Sequence, residues 1–252
     1  MMNNKLVSII TPCYNGGRFI AETINSVLAQ TYKEWEMIIV DDGSSDDSAK
    51  IVKSFADKDE RISLVSQENA GSAAARNNGI RRAKGRFIAL LDADDLWDPD
   101  FLRQQLRFMK RKNTICVFSS YRRINEEGQE ILRRTIAKRE IGIKEMKVRN
   151  QIGCLTGLYD SGKYGKVYLK EDLKSIRDDY AYWYDIVALE DRACGNPKVL
   201  ASYRVLSGST TGDKKKLIKK QYSFYRSYLK ENPIQAAFNT VRWGLVGLSK
   251  FH

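Results

Sequence analysis

In the stretch FIALLDADDLWDPD (87–100), Asp92, Asp94 and Asp95 come directly after five apolar or small residues that read as a buried strand. Asp92 and Asp94 are two positions apart, so on a strand their side chains share one face, about 7 Å apart along the rise. Two hard oxygen ligands at the mouth of a crevice suit Mg²⁺ or Mn²⁺ bridging to a substrate diphosphate. Capping and turn formation account for Asp95 and Asp98, with Asp98 ahead of Pro99 as the cap of the next helix. They do not account for Asp92, which precedes the turn.

Other chemistry-bearing groups are spaced along the chain. Asp41-Asp42-Gly43-Ser44 follows the apolar run EMIIV; alone, it reads as an Asx turn capping the next helix. Arg76 projects from AGSAAARNNG, either to pair bidentately with a phosphate or as a solvated helix arginine. Asp178 and Asp179 open the helical pattern DDYAYWYDIVALED (178–191). One acid there is expected as a cap or dipole partner, and a pair is less easily explained. The only histidine is His252, which leaves no residue for Ser-His-Asp or Cys-His nucleophilic mechanisms, or for histidine metal ligation. Cys13, Cys116, Cys154 and Cys194 form no C-x-x-C pair, so they read as small buried hydrophobes rather than a zinc site or disulfide framework. YNGGRFIAE is not a dinucleotide fingerprint, and a P-loop is absent. Chemistry must therefore run on carboxylates, hydroxyls, Lys and Arg.

The elements that position these groups alternate. KLVSIITPCYN (5–15), WEMIIVDDGSSDD (35–47), RISLVSQENAG (61–71) and RFIALLDADD (86–95) are apolar runs ending in polar turns. Between them, RFIAETINSVLAQTY (18–32), SAKIVKSFA (48–56) and SAAARNNGIRRA (72–83) repeat at helical spacing. Strands apolar on both faces, alternating with helices, predict an α/β fold with a doubly wound, mostly parallel sheet flanked by helices. The ligand crevice of such a sheet lies beyond the carboxyl ends of the strands, where TPCYN, VDDGSS, ENAG and DADD would converge. A helix then runs to about Lys112, TICVFSSYRRI (114–124) is a strand, and 129–153 is weakly patterned with helix only at 144–150. CLTGLYDSGKYGKVYL (154–169) reads as two short strands around a Gly-rich turn, and KVLASYRV (198–205) as a last strand.

The chain has 252 residues and a formal net charge of +12. That is enough for one catalytic body, and it points to an anionic partner such as nucleic acid, a phosphorylated substrate or an acidic membrane. No run of about 18 apolar residues and no signal peptide is present, so the expected location is cytoplasmic.

VSIITPCYNGGRFIAETINSVLAQTY, EMIIVDDGSSDDS, ENAGSAAARNNGI and GRFIALLDADDLWDPDFL, in that order over about the first 110 residues, resemble the family 2 inverting glycosyltransferases of the GT-A fold. GKVYL, RDDYAYWYDI and KVLASYRV are similar to bacterial members that build lipopolysaccharide, capsule or other surface glycans. The resemblance implies a nucleotide-sugar donor, first of all a UDP-sugar, and a glycan or lipid-linked glycan acceptor. It places Thr11, Tyr14 and Asp42 around the nucleoside, Arg76 at the base or diphosphate, and Asp92 at the ribose. Asp94 holds the divalent metal, Mg²⁺ or Mn²⁺, with Asp95 as the alternative should the alignment slip by one. The catalytic base falls on Asp179, with Asp178 as its alternative. Many relatives carry a metal-assisting His shortly after YRV, where this chain has Leu206; metal binding would then rest on Asp94, the diphosphate and water.

The implied division is a catalytic domain at 1–212, in which residues 1–112 bind the donor and residues 113–212 the acceptor, and a basic helical tail at 213–252. In the tail, Leu217, Ile218, Tyr225, Tyr228 and Leu229, then Ile234, Phe238, Val241, Leu245 and Leu248, recur at helical spacing beside Lys215, Lys216, Lys219 and Lys220. Such a helix suits an anionic membrane surface, or else packs on the body or on a second copy in a homodimer. The rival to glycosyl transfer is a nucleic-acid-binding α/β protein, suggested by net charge and interleaved Tyr and Arg. No nucleic-acid-binding motif supports it, and acids at the strand ends would repel phosphate, so nucleic acid is not the expected partner.

Overall fold

The computed structural model describes residues 3–173, 177–206 and 214–248, with the side chains of 3–4, 214–216 and 246–248 left out. Its first half is a regular alternation: β1 (Asn3–Cys13), α1 (Ile20–Leu28), β2 (Trp35–Asp41), α2 (Ser48–Ala56), β3 (Ile62–Ser66), α3 (Ser72–Arg82) and β4 (Gly85–Leu90). Next come β5 (Leu96–Trp97), α4 (Phe101–Lys112), β6 (Cys116–Ile124), β7 (Glu130–Thr135), β8 (Glu140–Ile141) and α5 (Ile143–Val148). β9 (Leu158–Asp160), α6 (Asp178–Ala188) and β10 (Ala193–Arg204) complete the body. α7 (Lys214–Ser223), a π-helical turn (Phe224–Tyr228) and α8 (Pro233–Leu248) form the tail.

The sheet runs in the order β3-β2-β1-β4-β9-β6-β10-β5, with β7 on β6 and β8 on β10. β3, β2, β1 and β4 are mutually parallel, whereas β9 pairs antiparallel with both β4 and β6. The parallel arrangement read from the sequence thus covers the donor half, and the other half is mixed.

Period-two alternation explains why these strands read as unbroken apolar runs. Ile10, Ile38, Val40, Ile88 and Leu90 enter one core, with Ile80 of α3 and Trp183 of α6. Val7, Ile9, Met37, Ile39 and Ala89 enter the other, with Ile24 of α1, Val52 of α2 and Phe101 of α4. Both faces are covered, as a parallel sheet requires. α3 lies unusually close to the sheet because Gly79 has no side chain: a Cβ there would stand 2.6 Å from Cγ2 of Ile10.

Several local expectations are corrected. β4 ends at Leu90, so Asp92 and Asp94 sit in a turn and not on a strand face. Asp98 is not the cap of α4: its carboxylate takes the Arg122 guanidinium, and Asp100 occupies the cap position. Residues 154–169 hold one strand, β9, preceded by a 3₁₀ turn. β6 matches the strand expected at 114–124, but its hairpin partner β7 lies in the segment that lacked pattern, because it is an edge strand exposed over most of its length. The cysteines are free, and Cys154 is only partly buried. The 212/213 boundary falls within 207–213, outside the described residues. The same holds for the side chains of Lys215, Lys216 and Leu248.

Candidate active site

The carboxyl ends of β1, β2 and β4 and the start of α3 surround a cavity of about 600 Å³, a size suited to a small-molecule ligand. Tyr14, Asp42, Arg76, Asp92 and Asp94 line it, along with Asn69, Ser72 and Leu206. Of the residues expected at the donor, Thr11 alone is not in the lining: it is fully buried in β1. Its neighbours Pro12 and Cys13 form the wall instead.

Asp42 does not cap the next helix. Its carboxylate reaches across to the loop before α3, accepting N–H bonds from Ala70 and Gly71 at 2.9 Å each and from the Gln67 side chain at 2.7 Å. Gly71 holds φ at +90°, a conformation that glycine adopts without steric cost. The Asx geometry expected of Asp42 falls to Asp46, which accepts from the Ser48 N–H at 3.0 Å.

Arg76 is buried, so the solvated alternative does not hold. Its Nη2 donates to Asp92 at 2.5 Å and its Nη1 approaches Asp178 at 3.4 Å. Although burial disfavours its charge, Asp92 and Asp178 hold the guanidinium firmly protonated. Ser72 also donates to Asp178, at 3.1 Å. Among the described residues Asp178 is therefore engaged twice, while Asp179 takes a long contact from Asn150 at 3.4 Å. Burial, then the charge of Asp178, raises the Asp179 carboxyl above its ordinary range, against the pull of Arg76 and Arg177.

The acidic turn is built on Arg204, a residue whose importance is not visible in the sequence although it lies within YRV. Its side chain is fully buried. Nε donates to the Asp94 carbonyl at 2.9 Å, and its own backbone N–H donates to Asp95 Oδ1 at 2.9 Å. Nη2 pairs with Glu22 of α1 at 2.6 Å, and Nη1 donates to the Glu126 carbonyl at 2.8 Å. Asp95 thereby points inward, almost wholly buried, and its Oδ2 has no hydrogen-bond partner among the described residues. Burial and the charges of Asp94 and Asp92 push its carboxyl well up. Asp94 keeps its face on the cavity, and burial plus Asp92 raises it to about 6.

Asp92 is already compensated by Arg76, whereas the Asp94 carboxylate faces the cavity with no ion pair among the described residues, which suits a hard divalent cation. Among the described residues, no group of three His, Cys, Asp or Glu is placed to hold a metal alone.

A parallel α/β half thus gathers acids beyond its strand ends and is joined to a mixed half that adds a second acidic pair. The profile described as glycosyl transferase family 2 matches residues 8–177, and the chain belongs to that family. It is 34% identical over 246 residues to TuaG of Bacillus subtilis, a glycosyltransferase assigned to teichuronic acid biosynthesis, covering 97% of each chain. It is 33% identical over 251 residues to the Escherichia coli UDP-Glc:alpha-D-GlcNAc-diphosphoundecaprenol beta-1,3-glucosyltransferase WfgD, over 99% of this chain and 96% of that one. Among solved structures, a mannosyltransferase from Pyrobaculum calidifontis in complex with GDP-Man and Mn²⁺ superposes with a TM-score of 0.69. The identity is 18%, and the match covers 96% of this chain and 74% of that one. The protein is a glycosyltransferase of the GT-A fold, and the nucleic-acid-binding alternative is set aside.

Proposed function

We propose that the enzyme transfers a sugar, with inversion, from a UDP-sugar to a hydroxyl of a lipid-linked bacterial glycan. The observation that carries this reading is the convergence on one cavity wall of Asp92, Asp94 and Arg76, with Arg76 tied onward to the start of α6, where Asp179 lies. WfgD, by its name, uses UDP-Glc and a diphosphoundecaprenol acceptor, which supports the donor nucleotide and acceptor class.

Tyr14 and Asp42 border the nucleoside, with Thr11 supporting that wall from within β1. Asp92 faces the ribose side, and Arg76 sets positive charge beside the diphosphate. Asp94 would hold Mg²⁺ or Mn²⁺, with the diphosphate and water completing its ligands, and that cation would supply charge against the leaving group. Asp95 is left out of the ligand role by its inward orientation under Arg204.

The acceptor oxygen attacks the anomeric carbon on the face opposite the nucleotide. Its proton passes to Asp179, the bond to the distal phosphate oxygen breaks, and the nucleoside diphosphate departs. Asp179 suits the base role better than Asp178, whose carboxylate is occupied by Arg76 and Ser72. Calorimetric titration with UDP, GDP and dTDP, each with and without Mn²⁺, tests the donor assignment. UDP binding that tightens at least tenfold with Mn²⁺ is the expected result, and equal binding of all three nucleotides overturns the choice of donor.

A further inference from the structure

The tail divides into two segments with opposite surroundings. In the first, Phe224 and Tyr225 are fully buried, Phe224 stacks on Tyr180 of α6 at 4.2 Å between ring centroids, and Tyr228 bonds to Asp185. That segment packs on the catalytic body. In the second, α8 turns its small and polar residues inward: Ala236 and Thr240 are buried, and Trp243 lies under the Arg177 guanidinium at 5.2 Å. Four of its large apolar residues point out. Ile234, Phe238, Val241 and Leu245 are 83%, 67%, 62% and 63% exposed. At 100° per residue they fall within about 60° of the helix circumference, a single continuous stripe.

A water-facing helix normally shows the reverse order, and a stripe of this kind marks an interaction surface. Charge decides its occupant. Residues 214–248 carry six lysines and two arginines against one acid, Glu231, and Glu231 is tucked in, its carboxylate taking the Asn239 amide at 2.9 and 3.0 Å. Arg242 is exposed beside the stripe on α8 itself, and Arg226 and Lys230 are exposed in the segment that leads into it. A second copy docked face to face would set one strongly basic tail against another, which like-charge repulsion opposes.

We infer that the α8 stripe lies in the interfacial plane of an anionic lipid bilayer, its apolar side chains among the acyl chains and its flanking Lys and Arg at the lipid phosphates. Resting on the lipid-linked acceptor proposed above, this also gives that acceptor a route. Arg177, which covers Trp243 of α8, immediately precedes Asp178 and Asp179, so the bilayer-facing helix adjoins the helix that carries the proposed base.

The test is flotation of the full chain with phosphatidylglycerol–phosphatidylcholine vesicles and with phosphatidylcholine vesicles, at low and high salt. It is repeated for the triple variant Phe238→Ser, Val241→Ser and Leu245→Ser, whose substituted side chains are exposed. Expected is salt-sensitive binding to the anionic vesicles that falls at least tenfold in the variant while its Tm is kept. Equal flotation of the two proteins, or none by the wild type, overturns the inference. So does a wild-type dimer in sedimentation that becomes monomeric in the variant with vesicle binding unchanged. The flotation mixture contains neither donor nor acceptor, so a wild type that transfers sugar yet does not float sinks this inference and leaves the functional reading standing.

Discussion

Arg76 holds Asp92 and Asp178, acids from different halves of the fold, and does not hold Asp179, which makes Asp178 and Asp179 separable by experiment. Asp179→Asn keeps the shape of the side chain but cannot accept a proton. Turnover should fall by about 10² or more while UDP affinity stays within twofold. Asp178→Asn, which perturbs the hydrogen bonds to Arg76 and Ser72, should cost less; the reverse order in a turnover assay would move the base to Asp178. The two raised carboxyls also predict two different pH signatures. Asp94, raised to about 6, must be ionised to hold a cation, so metal-dependent UDP affinity should weaken as pH falls through about 6. Asp179 must be ionised to accept a proton, so kcat at saturating substrate should fall as pH drops through its raised range, above that of a free aspartate. Affinity and kcat profiles that coincide would mean that one group controls both.

The acidic turn is held by contacts from several elements, and Arg204 is the residue they share. Thr23 of α1 supports the same turn, its hydroxyl donating between the carbonyls of Ala93 and Asp95 at 2.9 Å each. Arg204→Met should therefore lower stability by about 2 kcal/mol or more, because the carbonyls of Asp94 and Glu126 lose the charged donors that the guanidinium supplies. Arg204→Lys should recover part of the stability but not the geometry, since one ammonium cannot reach every carbonyl that the guanidinium spans. Urea melts beside UDP titrations with Mn²⁺ check both statements. A variant with wild-type stability and affinity would remove Arg204 from this role. Arg204 also shows where sequence reading stops. Asp92 and Asp94 are legible because they end an apolar run, whereas Asp42, which alone reads as a turn residue, and Arg76, which alone reads equally as a solvated helix arginine, are legible through the family resemblance. Arg204 looks like any arginine in a strand, and its importance comes from contacts 78 to 182 residues away along the chain. β7 is hidden for a related reason: an edge strand packs little, so nothing forces its residues to alternate. β9 is three residues long, too short to show a period.

At the scale of the molecule, the tail behaves as two segments joined at residues 229–232. A chain ending at 229 keeps Phe224 and Tyr225 over α6 and should lose less than about 2 kcal/mol. A chain ending at 212 uncovers Tyr180 and its neighbours and should lose about 3 kcal/mol or more, from aromatic burial alone. Thermal melts of the two truncations decide this, and equal Tm values would deny the first segment its place in the core. No helix among the described residues is long and apolar enough to cross a membrane. The sheet order carries a consequence of another kind. β1 to β4 are laid down in succession, and β4 itself closes on β1 about 70 residues after it. The open side of β4 must wait for β9, some 70 residues later, because β5, β6, β7 and β8 are all made first. During synthesis at about 5–20 residues per second, a nascent chain therefore spends several seconds with a hydrophobic strand edge uncovered. A nascent chain arrested before β9 should therefore aggregate more readily than the finished enzyme, which pelleting of arrested and completed chains checks.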